Sequence, residues 1–289
     1  MARKRPGILG SLWRALVWAV STIFQVLYHA VRRLFRWIYS ALVAVGRKAG
    51  DAGRRASRPS GSAGSIPLEQ LSSQKGSLAA FEEKIYSAKS TIGLVLGARG
   101  SGKSALGMRL LENVAAKKTR PVYVMGFEQS ALPAWISCTE ELDRIPNGAF
   151  VLVDEGGIAF SSRQSMSDAN RLLSSLILIS RHKDISVLFI SQNSANLEIN
   201  AIRQSDYLLL RKPSLLQMDF ERKKIGEIYG RIATGFEKLP EKGQYATYIY
   251  SDEFEGFVAN QLPSFWSKRA SKSFSAFKAE RQGKKAGLR

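Results

Sequence analysis

The feature that most constrains the fold of this chain is a glycine-rich loop, G-A-R-G-S-G-K-S, at residues 97–104. It follows an apolar run, Ile92–Leu96, and precedes a helical pattern that begins at Lys103. A strand, a glycine loop and a helix in this order are the context in which the pattern G-x-x-x-x-G-K-S binds phosphate, because backbone N–H groups turn inward and the helix adds its positive dipole end. We expect Lys103 to reach the β- and γ-phosphates of ATP and the Ser104 hydroxyl to ligate Mg²⁺. The predicted nucleotide-binding residues are Gly97, Gly100, Ser101, Gly102, Lys103 and Ser104.

Two acids end a second apolar run further along the chain. Phe150–Val153 leads directly into Asp154 and Glu155. Continuous apolar runs are typical of parallel strands that are buried on both faces, and ligands bind where such strands end. The sequence therefore predicts that Asp154 holds Mg²⁺ together with Ser104, and that Glu155 acts as the general base toward water.

Strand and helix patterns alternate through the middle of the chain, which predicts an α/β fold with a mostly parallel sheet covered on both faces. The phosphate loop on the first strand and the acid pair on the third indicate a RecA-like P-loop NTPase core, in which an extra strand lies between those two. Ile185–Ser191 is the predicted inserted strand. The other predicted strands are Thr91–Gly97, Pro121–Gly126, Ala149–Asp154, Asp206–Leu210 and Tyr245–Tyr250. The predicted helices are Pro67–Ala88, Lys103–Lys117, Asp168–Ser180 and Leu215–Ile232.

A polar residue and several arginines complete the predicted site. Gln192 follows the inserted strand, where its amide could sense the γ-phosphate or position water; Asn193 is the alternative if the register differs by one residue. A guanidinium that reaches the nucleotide of a neighbouring subunit stabilises charge in the transition state. Arg181 is the favoured candidate for this role and Arg163 the second, with a surface ion pair as the alternative for each. The weaker candidates are Arg203 and Arg211.

Charge is distributed unevenly along the 289 residues and divides the chain. The net charge is +19, yet residues 1–60 hold twelve Lys or Arg against one acid and residues 264–289 hold eight against one, so the middle is nearly neutral. Basic ends attract anionic lipid or nucleic acid, or they are solvated tails that only aid solubility. The predicted organisation is a basic amphipathic helix at 1–48, a flexible linker at 49–66, the ATPase core at 67–250 and a basic tail at 251–289. One cysteine, Cys138, excludes an internal disulfide and cysteine-based zinc clusters.

The N-terminal segment has a polar stripe that persists at helical spacing from Ser11 to Arg47, which predicts one long amphipathic helix. Three interpretations stay open: an anchor in the membrane plane, a spanning helix flanked by Arg14 and Arg32, or a soluble helix against a partner chain. A cleaved signal peptide is disfavoured because arginines interrupt a long apolar region and no small-residue cleavage site follows.

The ordered segments GARGSGKS, FVLVDEGGIAFSSR, RHKDISVLFISQN and IRQSDYLLLRK resemble the FtsK/HerA superfamily of ring ATPases. Two branches share this pattern: viral genome-packaging ATPases and zonula occludens toxin-like proteins that assemble filamentous phages. The resemblance implies that Lys103, Ser104, Asp154, Glu155, Gln192 and Arg181 carry the family's site roles, with ATP and Mg²⁺ as ligands. A membrane segment before the ATPase departs from the second branch, which usually carries it afterwards.

The leading hypothesis is therefore an ATP-hydrolysing motor that moves DNA, most consistent with viral genome packaging at a membrane. Its expected partners are DNA, membrane lipid through residues 1–48, further copies in a ring of six, and capsid or coat protein. Trp266, Phe274 and Phe277 in the basic tail could stack on nucleic acid or dock on a protein. The expected location is a membrane with the ATPase domain in the cytoplasm, or the virion. The alternatives are a phage-assembly or extrusion ATPase and a nucleotide-gated membrane scaffold with negligible turnover.

Overall fold

The computed structural model describes residues 61–117, 120–155, 166–239 and 245–267. The chain divides into two compact units, residues 1–57 and 58–289. The first unit lies outside the described residues, and so do the predicted N-terminal helix, most of the predicted linker and Arg163. Within the described ranges, no helix combines the length and apolar character needed to cross a membrane.

Ten strands of the described chain form one mixed sheet in the order β1-β10-β9-β8-β3-β7-β6-β4-β5, with β2 also paired to β10. The strands are β1 (Glu69–Gln70), β2 (Lys75–Gly76), β3 (Ile92–Leu96), β4 (Val122–Met125), β5 (Ser137–Cys138), β6 (Phe150–Asp154), β7 (Ser186–Ile190), β8 (Tyr207–Leu210), β9 (Ala246–Ser251) and β10 (Phe254–Ala259). The helices are α1 (Leu78–Ser87), α2 (Lys103–Ala116), α3 (Met166–His182), α4 (Ile199–Arg203), α5 (Leu215–Phe220) and α6 (Lys223–Glu237).

The inserted strand lies where the sequence predicts it. β7 pairs in parallel with β3 on one side and with β6 on the other, and β8 and β4 extend the parallel region outward. This is the RecA-like order. The carboxyl ends of β3, β6, β7 and β8 therefore share one edge of the sheet, here called the carboxyl edge, and their starts share the opposite amino edge.

Helices cover both faces of the sheet, as the apolar strands require. The residues of β3, β6, β7 and β8 are buried throughout. One hydrophobic cluster joins the sheet to α1 and α2, through residues such as Phe81 and Leu106. A second cluster on the other face includes Leu173 of α3 and Ile228 of α6. Parallel sheets need such double cover because neither face can be left to water.

The predicted helix Pro67–Ala88 is only half correct. Its second half is α1, which starts where the Ser77 side chain accepts a hydrogen bond from the Ala80 N–H and so caps the first turn. Its first half forms β1 and β2, which pair antiparallel with β10. Pairing with a strand distant in sequence overrides the local pattern here.

The predicted helix Leu215–Ile232 is wrong as a single element, because the chain leaves the helical conformation at Glu221 and Arg222. The Glu221 carboxylate accepts a hydrogen bond from the Ser194 N–H at 3.1 Å, and Arg222 donates to the Ser194 carbonyl at 3.0 Å. These bonds to the loop after β7 separate α5 from α6.

The sheet also extends beyond the predicted boundary at residue 250, because β10 pairs along its length with β9. Residues 254–259, which composition assigned to the basic tail, are therefore part of the sheet. Trp266, expected as a stacking residue of that tail, is half-buried and packs against the core. Phe274 and Phe277 lie outside the described residues.

One buried cluster on α2 holds both ends of the described chain. Arg109 and Glu112 form an ion pair at 2.8 Å with side chains 1% and 0% exposed. Glu112 accepts hydrogen bonds from the N–H groups of Gly64 and Ser264, and Arg109 donates to the Gln261 carbonyl. Residue 64, assigned to the linker by composition, is thus fixed beside the segment that follows β10. We call Arg109 and Glu112 the α2 clamp.

Candidate nucleotide site

The phosphate loop connects β3 to α2 at the carboxyl edge. Gly97, Gly100 and Gly102 have φ values of 147°, 78° and 87°, in the region that only glycine adopts without strain. A Ser101 N–H···O=C bond to Ala98 at 3.1 Å closes the turn. The glycines of the motif are therefore required by the backbone path itself, in addition to any close approach of phosphate.

Lys103 is the first residue of α2, and its side chain folds back over the loop. Its Nζ donates to the carbonyl oxygens of Gly97 at 2.7 Å and Ala98 at 2.9 Å. Burial lowers the pKa of Lys103 to about 8; Arg211 acts in the same direction, while Asp154 and Glu155 raise the pKa. The ammonium group lies among groups that partly offset its charge, and an incoming phosphate would add to that compensation.

Ser104 and Asp154, the predicted Mg²⁺ ligands, lie in contact. The Ser104 hydroxyl donates to Asp154 Oδ2 at 2.9 Å, and Asp154 ends β6 at the carboxyl edge. A hydroxyl and a carboxylate are oxygen donors of the kind that Mg²⁺ takes in nucleotide sites. The residues present therefore fit a magnesium ion, which would neutralise charge on the β- and γ-phosphates.

Glu155 follows β6 and faces the loop after β7. Burial raises the pKa of Glu155, and hydrogen bonds from the Ser191 side chain and the Gln192 backbone, with the charge of Lys103, partly offset this rise. A carboxylate with a raised pKa is a stronger base than an ordinary carboxylate, which suits a general base beside a phosphate site.

Two buried oxygens in this site have no hydrogen-bond partner among the described residues: Ser101 Oγ and Glu155 Oε2. Buried polar atoms without a partner are uncommon, since each costs about 1–3 kcal/mol. Both lie where the sequence predicts phosphate and the attacking water. Their positions support the fit to a bound nucleotide.

Gln192 is placed at the carboxyl edge as predicted, directly after β7. Its side chain is exposed, and its carbonyl accepts a hydrogen bond from Gln217 of α5 at 2.7 Å. Asn193, the alternative, uses its side chain to accept from the Ala195 N–H and so caps a short 3₁₀ turn. The Gln192 side-chain amide is therefore exposed at this edge, whereas the side chain of Asn193 is already bonded to the Ala195 N–H.

The candidate arginines are not brought together. Arg181, in the last turn of α3, and Arg203, which ends α4, are exposed and precede the amino-edge starts of β7 and β8. The phosphate loop lies at the other edge, so neither arginine serves the site of its own chain. Arg163 lies outside the described residues. Arg211 is at the carboxyl edge but is buried, with 2% exposed, and is therefore not a group that projects toward another subunit.

Sequence reasoning missed two participants and gave a third, Arg211, a different role. Ser191 and Asn196 contribute to the surroundings of Glu155, and Arg211 contacts the phosphate loop. Ser191 could have been found, because it ends the predicted inserted strand beside Gln192. Asn196 and the role of Arg211 depend on how distant loops fold back, which no local pattern shows.

Neither a family model nor a curated protein matches the chain. Among solved structures, the DNA-packaging ATPase B204 of Sulfolobus turreted icosahedral virus is similar over 60% of this chain and 98% of that one, at 15% identity and a TM-score of 0.39. The cytoplasmic domain of the type VII secretion ATPase EccC of Thermomonospora curvata is similar over 67% of this chain and 28% of that one, at 16% identity and a TM-score of 0.39. ATPases 2 and 3 of EssC from Geobacillus thermodenitrificans are similar over 78% of this chain and 51% of that one, at 10% identity and a TM-score of 0.41.

The site is arranged as that of a P-loop ATPase. Its phosphate loop, the Ser104–Asp154 pair and Glu155 converge at the carboxyl edge of a RecA-like sheet, around the strand ends of β3, β6 and β7.

Proposed function

We propose that this chain is an ATP-hydrolysing motor that translocates DNA, acting in viral genome packaging at a membrane. The observation that carries the ATPase part is the contact of Ser104 with Asp154, which places the magnesium-binding acid of β6 against the phosphate loop of β3. That contact assembles two motifs distant in sequence into one site.

Each residue has a defined part in hydrolysis. Lys103 and the loop N–H groups bind the phosphates, and Ser104 and Asp154 would hold a magnesium ion that neutralises phosphate charge. Glu155 accepts a proton from water as the water oxygen bonds to the γ-phosphorus and the bond to the bridging oxygen breaks, which releases ADP and phosphate. We assign to the exposed Gln192 amide the role of sensing whether the γ-phosphate is present.

The step from ATPase to DNA motor is supported by the motif resemblance and by the charge distribution. The catalytic middle of the chain is nearly neutral, and the excess of lysine and arginine belongs to residues 1–60 and 264–289. Basic segments bind polyanions with an affinity that falls steeply with salt, through release of counterions. We assign DNA and anionic lipid to these ends.

The position of Arg181 supports the proposal of a ring. It is exposed at the amino edge, away from the phosphate loop of its own chain, so we assign it to the nucleotide of a neighbouring subunit, with a surface ion pair as the alternative. We expect Arg181→Ala to spare nucleotide binding and abolish turnover. Normal turnover in that variant would remove the finger role, and Arg163 would become the candidate.

DNA stimulation of ATP hydrolysis tests the proposal most directly. Phosphate release by the full chain should rise when double-stranded DNA is added. Both Lys103→Ala and Glu155→Gln should abolish this DNA-stimulated hydrolysis. Absence of hydrolysis in the unmutated protein would leave only the nucleotide-gated scaffold.

A second comparison separates packaging from assembly or extrusion. Hydrolysis that ignores DNA but responds to anionic vesicles or coat protein would favour a zonula occludens toxin-like ATPase. Removal of residues 1–60 should abolish co-sedimentation with anionic vesicles and leave DNA-stimulated hydrolysis by the core. Unchanged vesicle binding would contradict the membrane role of this segment.

A further inference from the structure

Arg211 is a large buried side chain at the carboxyl edge that the ATPase mechanism leaves unused. It follows β8 directly and is 2% exposed. Its guanidinium donates hydrogen bonds to uncharged oxygens in two different parts of the chain. Burial lowers the pKa of Arg211 to about 10, so the group stays charged at neutral pH.

On one side the guanidinium holds the phosphate loop. Arg211 Nε donates to the Ser101 carbonyl at 2.7 Å. The loop wraps closely around the arginine, since a Cβ added at Gly102 would lie 2.6 Å from Arg211 Nη2 and one added at Gly97 would lie 2.6 Å from Arg211 Cβ. Two glycines of the phosphate motif are thus needed to admit this side chain.

On the other side the guanidinium holds the β9–β10 hairpin. Arg211 Nη1 donates to the Tyr245 carbonyl at 2.7 Å, to Thr247 Oγ1 at 3.0 Å and to Asn260 Oδ1 at 3.2 Å. Thr247 lies in β9, and Asn260 follows β10 directly. Both side chains are buried, so these acceptors are fixed in place by the sheet.

We propose that Arg211 is a positioning residue of the nucleotide site, which fixes the phosphate loop at Ser101 and Gly102 against the β9–β10 hairpin and thereby sets the affinity for nucleotide phosphate. The inference rests on the proposed ATPase function and adds a residue to it. The planar guanidinium with its five donors can bond to loop and hairpin together, whereas a lysine ammonium is a compact charge without that fork. Arg211→Lys keeps the charge and removes the bridge.

The effect should appear in binding more than in chemistry. The loop N–H groups contact phosphate in both the ground state and the transition state, so loosening the loop weakens both to a similar degree. We expect Arg211→Lys to raise the KM and the dissociation constant for MgATP by about tenfold or more, while kcat at saturating ATP stays within about threefold.

Arg120 supplies a matched control. It is a second partly buried arginine that donates to several oxygens, among them the Gly148 carbonyl at 2.7 Å and Ser186 Oγ at 2.7 Å. It lies before β4, at the amino edge. Arg120→Lys should lower the thermal midpoint as Arg211→Lys does, but it should leave the MgATP dissociation constant within about twofold, because no phosphate-loop atom depends on it.

The experiment compares full-length wild type, Arg211→Lys, Arg120→Lys and Thr247→Val by MgATP titration, steady-state kinetics and thermal unfolding. Thr247→Val removes one hairpin acceptor without touching the loop, and it should weaken MgATP binding severalfold; combined with Arg211→Lys it should add little further. A wild-type dissociation constant in Arg211→Lys, with only a lowered thermal midpoint, would overturn the positioning role and leave the ATPase proposal intact. Failure of the wild type to bind MgATP would instead overturn the ATPase proposal itself.

Discussion

Lys103 illustrates how one side chain can be prepared for a ligand. Its ammonium is bonded to two loop carbonyls and lies near Asp154 and Glu155, yet burial dominates and brings its pKa down to about 8. Burial penalises the charged form, and a phosphate group within contact distance favours it. Nucleotide binding and protonation of Lys103 should therefore be linked.

The linkage gives a pH prediction. Because bound phosphate raises the pKa of Lys103 above its value in the free protein, MgATP affinity should fall as pH rises through about 8, approaching about tenfold per pH unit above that point. Titration calorimetry in buffers of different ionisation enthalpy should show proton uptake on binding near pH 8. Affinity that stays constant between about pH 7 and 9 would contradict this prediction.

The core of the site could be predicted from the sequence because its residues carry their context with them. Lys103 and Ser104 belong to a contiguous motif between a strand and a helix, and Asp154 and Glu155 end an apolar run that must be a buried strand. Arg211 follows an equally clear strand, but its importance depends on oxygens contributed by the β9–β10 hairpin. Local patterns cannot show such contacts, so Arg211 stood among the weaker candidates for a different role.

At the level of elements, the contact of β3 with β8 depends on a glycine, which leaves room for a side chain of the neighbouring strand. Gly93 of β3 pairs with Tyr207 of β8, and the Tyr207 ring occupies the space above Gly93. Tyr207 also packs edge-on against Phe81 of α1, with ring centroids 5.3 Å apart. The glycine thus lets an aromatic side chain join the strand of the phosphate loop to the helix that covers it.

Gly93→Ala should destabilise the fold by about 1–3 kcal/mol, the usual cost of overpacking. The added Cβ would lie 2.2 Å from Tyr207 Cε2. Gly230→Ala is the control, because Gly230 lies inside α6 with no heavy atom within 4 Å of an added Cβ; it should stabilise by about 0.5–1 kcal/mol. Chemical denaturation measures both, and equal effects of the two substitutions would show that Tyr207 gives way freely.

Elements whose pattern agrees with their packing were predictable, and those decided by distant partners were not. β3, β6 and β7 are buried on both faces and read as apolar runs. Residues 67–76 have a helical pattern, but pairing with β10 makes part of them strand. The helical pattern from Leu215 to Ile232 likewise breaks at Glu221, because that carboxylate is bound to Ser194.

For the whole molecule, the α2 clamp decides how the ends of the described chain are held. Glu112 accepts hydrogen bonds from the N–H groups of Gly64 and Ser264, one in each end segment. Its carboxylate also neutralises the charge of the buried Arg109. A buried ion pair adds little net stability over apolar residues, but removal of one partner leaves an uncompensated charge. The clamp is therefore more sensitive to a single substitution than a surface pair is.

We expect Glu112→Gln to destabilise the fold by about 3–5 kcal/mol, since Arg109 is left charged in a buried position. Glu227→Gln is the matched control, because Glu227 pairs with Lys224 on the exposed side of α6 and should change stability by about 1 kcal/mol or less. Thermal and denaturant unfolding of the full chain provide the comparison. Similar losses of stability in the two variants would mean that water or backbone relaxation compensates the charge of Arg109.

The helix that carries the clamp also begins with Lys103. Tension applied through the segment at Gly64 or through the one at Ser264 would reach α2 at Glu112, about two and a half turns from Lys103. A force on either segment would therefore be transmitted along α2 to the phosphate loop. The proposed nucleotide site would then respond to mechanical load on the ends of the described chain.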